Sequence, residues 1–103
     1  MDITIQKRSF DFSLKIVNLY KHLRYDQKEY VLSKQILRSG TSIGANIEEA
    51  YAAQSKKDFI SKMNIALKEA RETYYWLRLL KESGYIAENE ILSDCETIKR
   101  ILG

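Results

Sequence analysis

The sequence predicts an all-α fold, an antiparallel up-down-up-down four-helix bundle in a single domain over residues 1–103. Apolar residues recur at helical spacing in four segments, joined by short connections that favour an antiparallel bundle. The chain of 103 residues contains no proline, so long helices can run without a break. Only Ile3-Thr4-Ile5 alternates as a strand would, and residues 1–8 are a candidate extended arm.

The first helix is predicted from Ser9, a suitable N-cap, to about Arg24, and residues 25–27 form the connection. Spacings of four, three and four residues give it one apolar stripe. The stripe consists of Phe12, Ile16, Leu19 and Leu23.

The second helix is predicted from near Lys28 to about Ala53, and it contains the small-residue stretch SGTSIGANIEEA of residues 39–50. Gly40 and Gly44 each cost about 1 kcal/mol relative to alanine in a helix, so a kink near Gly40 is expected. The alternative is that one helix ends here and another begins at residue 41 or 42.

The third and fourth helices carry clearer boundary signals. Ser55 and Asp58 resemble a capping box, and Gly84 suits the position just after a helix end, which gives a third helix of about 28 residues. The fourth helix is predicted from about Ala87 to Leu102, with acids in its first turn and bases in its last.

The stretch at residues 39–50 raises the question of a phosphate-binding loop. Gly40 and Gly44 are only four residues apart and no lysine follows Gly44, so both the Walker A and the dinucleotide-binding patterns fail. We interpret the small side chains as a surface that lets another helix approach closely. Asn46 is expected to face a bundle seam and to hydrogen-bond to a neighbouring helix.

Charge is unevenly distributed along the chain. Residues 1–46 carry eight bases against four acids, whereas residues 47–103 carry nine bases against ten acids. This asymmetry indicates an anionic partner for the first half, and the alternative is a solvated surface with a basic bias. The candidate nucleic-acid-binding residues are Lys7, Arg8, Lys15, Lys21, Arg24, Lys28, Lys34 and Arg38.

The residues needed for catalysis are sparse, and we expect a non-enzyme without cofactor or metal. Cys95 lies on an apolar helical face and is expected to be a packing residue. His22, the only histidine, has no identifiable partner in the sequence and is expected to be a partly exposed helix-end residue. A bundle di-iron site needs two Glu-x-x-His motifs, and neither is present.

The expected location is the cytoplasm. No apolar run approaches the length of a membrane span, and the first ten residues do not resemble a signal peptide. The single cysteine excludes an internal disulfide.

The chain resembles the 23S rRNA intervening-sequence protein family in a series of short segments. These are SIGANIEEA at residues 42–50, Phe59, ALKEARET at residues 66–73 and YWL at residues 75–77. The resemblance covers about residues 12–102. It implies an antiparallel four-helix bundle that assembles as a ring-like homopentamer, with structural roles for Glu48 and Glu69. The chain is also similar to the accessory variability determinant of diversity-generating retroelements, a basic relative that binds nucleic acid and associates with a reverse transcriptase.

Apolar residues nearly encircle the end of the third helix, which predicts an interface with a second copy, unless neighbouring elements of the same chain cover them. The candidate interface residues are Tyr74, Tyr75, Trp76 and Leu79.

Two functions follow as hypotheses. The first is a non-catalytic module that binds the RNA or DNA backbone. A ring of several copies would repeat the basic patch and multiply its attraction for phosphates. The second is a protein-interaction scaffold for a partner enzyme, without direct nucleic-acid contact.

Overall fold

The computed structural model describes residues 4–103, and these contain four α-helices packed together, with no strand. A π-helical turn, His22–Asp26, continues the first helix toward the second. The all-helical prediction is confirmed. The helices are α1 (Ile5–Lys21), α2 (Leu32–Tyr51), α3 (Lys56–Glu82) and α4 (Glu90–Leu102).

Helix α1 begins earlier than predicted. Thr4 is its N-cap, and the Thr4 hydroxyl accepts a hydrogen bond of 3.1 Å from the Lys7 amide. Ser9 is buried within the helix, where its hydroxyl donates to the Gln6 carbonyl at 3.0 Å. The predicted extended arm is therefore wrong for residues 5–8, and residues 1–3 lie outside the described part of the chain.

The segment after α1 also differs from the prediction. The Gln27 amide donates to the His22 carbonyl at 3.1 Å, which closes the π-helical turn. Lys28 then adopts a left-handed conformation with φ of 58°, so a helix cannot begin there. Glu29 accepts a hydrogen bond of 2.8 Å from the Ser33 amide through its side chain, and this bond satisfies a free donor in the first turn of α2.

Helix α2 runs continuously through both glycines, so the alternative of two separate helices is wrong. A Cβ atom added at Gly40 would lie 2.8 Å from two side-chain atoms of Ile16 on α1. At Gly44 it would lie 3.2 Å from the Ser13 hydroxyl. The small residues therefore let α1 and α2 approach closely, as the packing interpretation predicted.

The boundary signals of α3 are confirmed. The Ser55 hydroxyl accepts a 3.0 Å hydrogen bond from the Asp58 amide at its start. Gly84 has φ of 87° just after its end, which lets the Tyr85 amide return to the Leu80 carbonyl at 2.9 Å. Helix α4 begins at Glu90, three residues later than predicted.

Each helix is tied to its neighbours by specific contacts. The rings of Tyr51 on α2 and Phe59 on α3 meet edge-to-face with centroids 5.4 Å apart. Cys95 on α4 donates from Sγ to the Ala70 carbonyl on α3 at 3.5 Å. The core between the helices includes Phe12, Ile16, Leu23, Ile36, Ile43, Ile47, Leu77, Leu80 and Ile98. Within residues 4–103, none of the helices has the length and apolar character needed to cross a membrane.

Candidate nucleic-acid interface

The structure separates the eight candidate bases by whether an acidic side chain neutralises them. Lys7 pairs with Asp11 one turn along α1, with Nζ 3.0 Å from Oδ2. Lys15 pairs across to α4, where its Nζ lies 2.6 Å from Asp94 Oδ2 and 3.1 Å from Glu90 Oε1. These carboxylates reduce the charge that either lysine can offer to a phosphate.

Arg38 is also neutralised by carboxylates of the same chain. Its guanidinium forms an ion pair with Glu72 on α3 and lies 3.8 Å from Glu69 Oε2. Glu72 in turn accepts a hydrogen bond of 3.1 Å from the Trp76 indole. Arg38 therefore joins α2 to α3.

Arg8 lines the same small cavity as Lys15. Its side chain is half-buried beside α4, in a small cavity that Ile98 also lines. The Arg8 Nε atom is buried without a hydrogen-bond partner.

Besides Arg8, four candidate bases have no carboxylate within ion-pair distance among residues 4–103, and these four lie around the α1–α2 connection. Arg24 lies near two tyrosine rings, with its Cζ 5.7 Å from the Tyr25 centroid and 5.3 Å from the Tyr30 centroid. Both rings are open to solvent, with exposed fractions of 62% and 48%. We call this surface the connection patch, and it consists of Lys21, Arg24, Lys28, Lys34, Tyr25 and Tyr30.

The tyrosines of the connection patch were missed as site residues by the sequence analysis. The signal was present, because aromatic residues alternate with bases between residues 21 and 34. Cations held against exposed aromatic rings are a common means of binding single-stranded nucleic acid.

His22 has partners that the sequence did not reveal. Its Nδ1 lies 2.9 Å from Asp26 Oδ2, and its Nε2 lies 2.7 Å from Gln27 Nε2. An amide nitrogen can only donate, so this pattern fits the tautomer with the proton on Nδ1. The Gln27 amide also donates to the Tyr85 carbonyl at 3.0 Å, which ties the π-helical turn to the α3–α4 connection.

The structure divides the candidate interface residues of α3. Tyr74 is half-buried, and Lys99 Nζ of α4 lies 4.1 Å from its ring centroid. Trp76 is half-buried and held by Glu72. Tyr75 and Leu79 are exposed, and Tyr75 contacts Trp76 edge-to-face with centroids 5.2 Å apart. Of these four candidates, Tyr75 and Leu79 are therefore the more open to a second chain.

Asn46 and Glu48 on α2 and Glu69 on α3 differ in their hydrogen bonds and ion pairs. Asn46 donates to the Ser42 carbonyl of its own helix at 2.8 Å, so the predicted bond to a neighbouring helix is not formed. Glu48 is exposed and forms no ion pair within residues 4–103. Glu69 has a buried Oε2 atom without a hydrogen bond and approaches Arg38 only at 3.8 Å.

Cys95 carries the one thiol of the sequence, and its side chain is buried in the core. Burial raises the pKa of the Cys95 thiol to about 12, so the nucleophilic thiolate is disfavoured. Residues 4–103 contain no group of three or more His, Cys, Asp or Glu side chains that could hold a metal ion.

Comparison with known proteins gives a family and a solved structure. The sequence profile of the 23S rRNA-intervening sequence protein family matches residues 1–103. A crystal structure from the S23 ribosomal protein family of Bacteroides thetaiotaomicron, of a protein with unknown function, is 56% identical with a TM-score of 0.94. The match covers 96% of this chain and 94% of that chain. No curated protein matches this chain.

Proposed function

The chain belongs to the 23S rRNA-intervening sequence protein family, and from this premise we propose that it is a non-catalytic, homo-oligomeric protein that binds the RNA or DNA backbone through the connection patch. The observation that carries the proposal is Arg24 between two exposed tyrosine rings, with three further unpaired lysines around it.

The chemistry of the connection patch favours nucleic acid over other anions. Lysine and arginine attract phosphates and release their counterions, whereas exposed tyrosine rings stack on unpaired bases. The two acids in the same segment, Asp26 and Glu29, are held by His22 and by the Ser33 amide, and four bases outnumber them. Binding of this kind depends on the phosphate backbone and carries little sequence specificity.

An antiparallel arrangement of the helices is the second part of the proposal. Ile16 contacts Gly40, and Ser13, earlier on α1, meets Gly44, later on α2. Lys15 near the end of α1 reaches Glu90 at the start of α4. Contacts in this order support an up-down path.

Oligomerisation is supported by two separate apolar surfaces. Phe10 and Leu14 on α1 are spaced four residues apart and have exposed fractions of 60% and 51%. Tyr75 and Leu79 repeat this spacing on α3. Two different surfaces can pair head-to-tail around a closed ring, and the family resemblance implies five subunits. A ring would repeat the connection patch and so increase its affinity for a long polyanion.

Binding can be tested by fluorescence anisotropy with labelled single- and double-stranded 20-mers of RNA and DNA over a salt series. The variant Lys21→Gln/Lys34→Gln should reduce the slope of log affinity on log salt by at least about 1.4 for single strands. The matched control is Lys57→Gln/Lys68→Gln, which removes the same charge from exposed positions on α3. The variant Tyr30→Leu should weaken single-strand binding and leave duplex binding nearly unchanged.

Absence of binding to all four nucleic acids at low salt would reject the proposal. Equal loss in the patch variant and in the control would mean that net charge, and not the connection patch, determines binding.

A scaffold for a partner protein is the second candidate function, and the exposed pairs Phe10 and Leu14 on α1 and Tyr75 and Leu79 on α3 favour it. A pull-down from cell extract with and without nuclease distinguishes the two functions. Partners that survive nuclease and are lost in Tyr75→Ser/Leu79→Ser support the scaffold.

A further inference from the structure

A cleft with a volume of about 570 Å³ lies between the end of α1, the π-helical turn and the α3–α4 connection. We call it the acid cleft, and no function discussed above uses it. Its volume falls in the range of small-molecule sites. Its floor is apolar and is formed by Leu19, Ile86 and Ile91, which are half-buried against the core.

One wall of the acid cleft is held in place by hydrogen bonds. Gln27 donates both to His22 and to the Tyr85 carbonyl, so it joins the two sides of the cleft. Asp26 fixes the opposite edge of the His22 ring. A wall with fixed side chains reduces the ordering that a ligand would have to impose.

The charge of the cleft is negative. Lys15 is its only ammonium group, and it is shared between Glu90 in the lining and Asp94 one turn further along α4. Glu88 is the second carboxylate of the lining and has no ion pair within residues 4–103. Two lining carboxylates against one ammonium leave a net charge of −1. The pKa of Lys15 is raised mainly by its hydrogen bonds to Asp94 and Glu90.

We propose that the acid cleft binds an organic cation, a primary ammonium or guanidinium group carried on an apolar stem. The cationic group would pair with Glu88 and Glu90, and the stem would lie on Ile86 and Ile91. Such a group occurs in a free polyamine and in a lysine or arginine side chain of a basic peptide. The inference does not rest on the nucleic-acid proposal, because the acid cleft and the connection patch have opposite charge.

The proposal can be tested by two-dimensional amide NMR of the full chain, titrated with spermidine, N-acetyl-lysine methylamide and glutarate. Both cations carry the proposed group, and glutarate is a dianion of similar length. We expect a cation to shift the amides of residues 84–91 and of His22, and glutarate to leave them unchanged. The variant Glu88→Gln should weaken binding about fivefold or more, as expected from losing one charge at contact distance.

The control variant is Glu49→Gln, which removes an exposed carboxylate from the last turn of α2, outside the cleft lining, and should bind as the wild type does. Binding of spermidine alone assigns the cleft to free polyamines, and binding of the lysine derivative assigns it to a basic peptide. Failure of both cations to shift these amides at millimolar concentration, stronger shifts with glutarate, or equal weakening in both variants would overturn the proposal.

Discussion

Replacement of Gly40 by alanine tests the close contact between α1 and α2. The new Cβ would lie 2.8 Å from Cγ1 and Cγ2 of Ile16 and 2.9 Å from its Cδ1. Ile16 is fully buried and branched at Cβ, so it cannot turn away without disturbing the core. Overpacking of a core costs about 1–3 kcal/mol, whereas alanine gains about 1 kcal/mol over glycine in a helix.

The overpacking cost minus the helix-propensity gain leaves a net loss between about 0 and 2 kcal/mol. Because Ile16 cannot move away, we expect Gly40→Ala to lower the free energy of unfolding by the upper part of this range, about 1–2 kcal/mol. Urea denaturation followed by circular dichroism at a fixed protein concentration measures the change. Gly44→Ala is the matched comparison, because its Cβ would meet the Ser13 hydroxyl at 3.2 Å, the Ser9 carbonyl at 3.4 Å and the Ser9 hydroxyl at 3.5 Å, and none of these contacts is below 3.0 Å. It should be near neutral.

A double-mutant cycle with Ile16→Ala gives a second measure. Alanine removes Cγ1, Cγ2 and Cδ1, the three atoms that the new Cβ would meet, so the loss caused by Ile16→Ala should be smaller in the Gly40→Ala protein than in the wild type. A Gly40→Ala protein as stable as the wild type would refute the reasoning. So would a loss of stability that is independent of residue 16.

Three further outcomes are expected. Ser55→Ala should lower the free energy of unfolding by about 1 kcal/mol in urea titrations, because the Asp58 amide loses its capping partner; no change would mean that the cap is replaced by solvent. The Cys95 thiol, with a pKa raised to about 12 by burial, should react with a disulfide reagent at pH 8 only after unfolding, and rapid labelling of the folded protein would contradict its burial. Because the pKa of Lys15 is raised in the folded state, the stability that it adds is fully present below the ordinary value of 10.5 and is lost as pH rises through the folded value. The free energies of unfolding of wild type and Lys15→Met, measured by thermal melts, should thus differ by no more than about 1 kcal/mol at pH 8, since the lysine is partly exposed. The two free energies should converge as pH rises above 10.5 and through the folded pKa of Lys15. A difference that stays constant with pH would assign the effect to packing.

The sequence predicted those parts of the fold that depend on local chemistry. Ser55 and Gly84 mark the ends of α3 through bonds to residues three to five positions away. The start of α1 was missed because Thr4 and Ser9 are both good caps, and only the burial of Ser9 decides between them. The π-helical turn could not be predicted, because Gln27 is held by Tyr85, which lies 58 residues further along the chain.

The candidate site was predicted in composition but not in arrangement. A count of bases identified all four cations of the connection patch. It could not exclude Lys15, whose partner Asp94 lies 79 residues away, or Arg38, whose partner lies on α3. Whether a surface lysine is free depends on which helix packs beside it, and charge along the chain does not contain that information.

The π-helical turn constrains how this region can change in length. Each of its hydrogen bonds spans one residue more than in an α-helix. The turn therefore determines which side chains after α1 face the core. Loss of His22 would rotate the side chains that follow it in the turn by about 100° relative to the core. Leu23 would then leave the core, and Arg24 would leave the two tyrosine rings. Relatives that share this surface should therefore conserve the number of residues here more strictly than their identity.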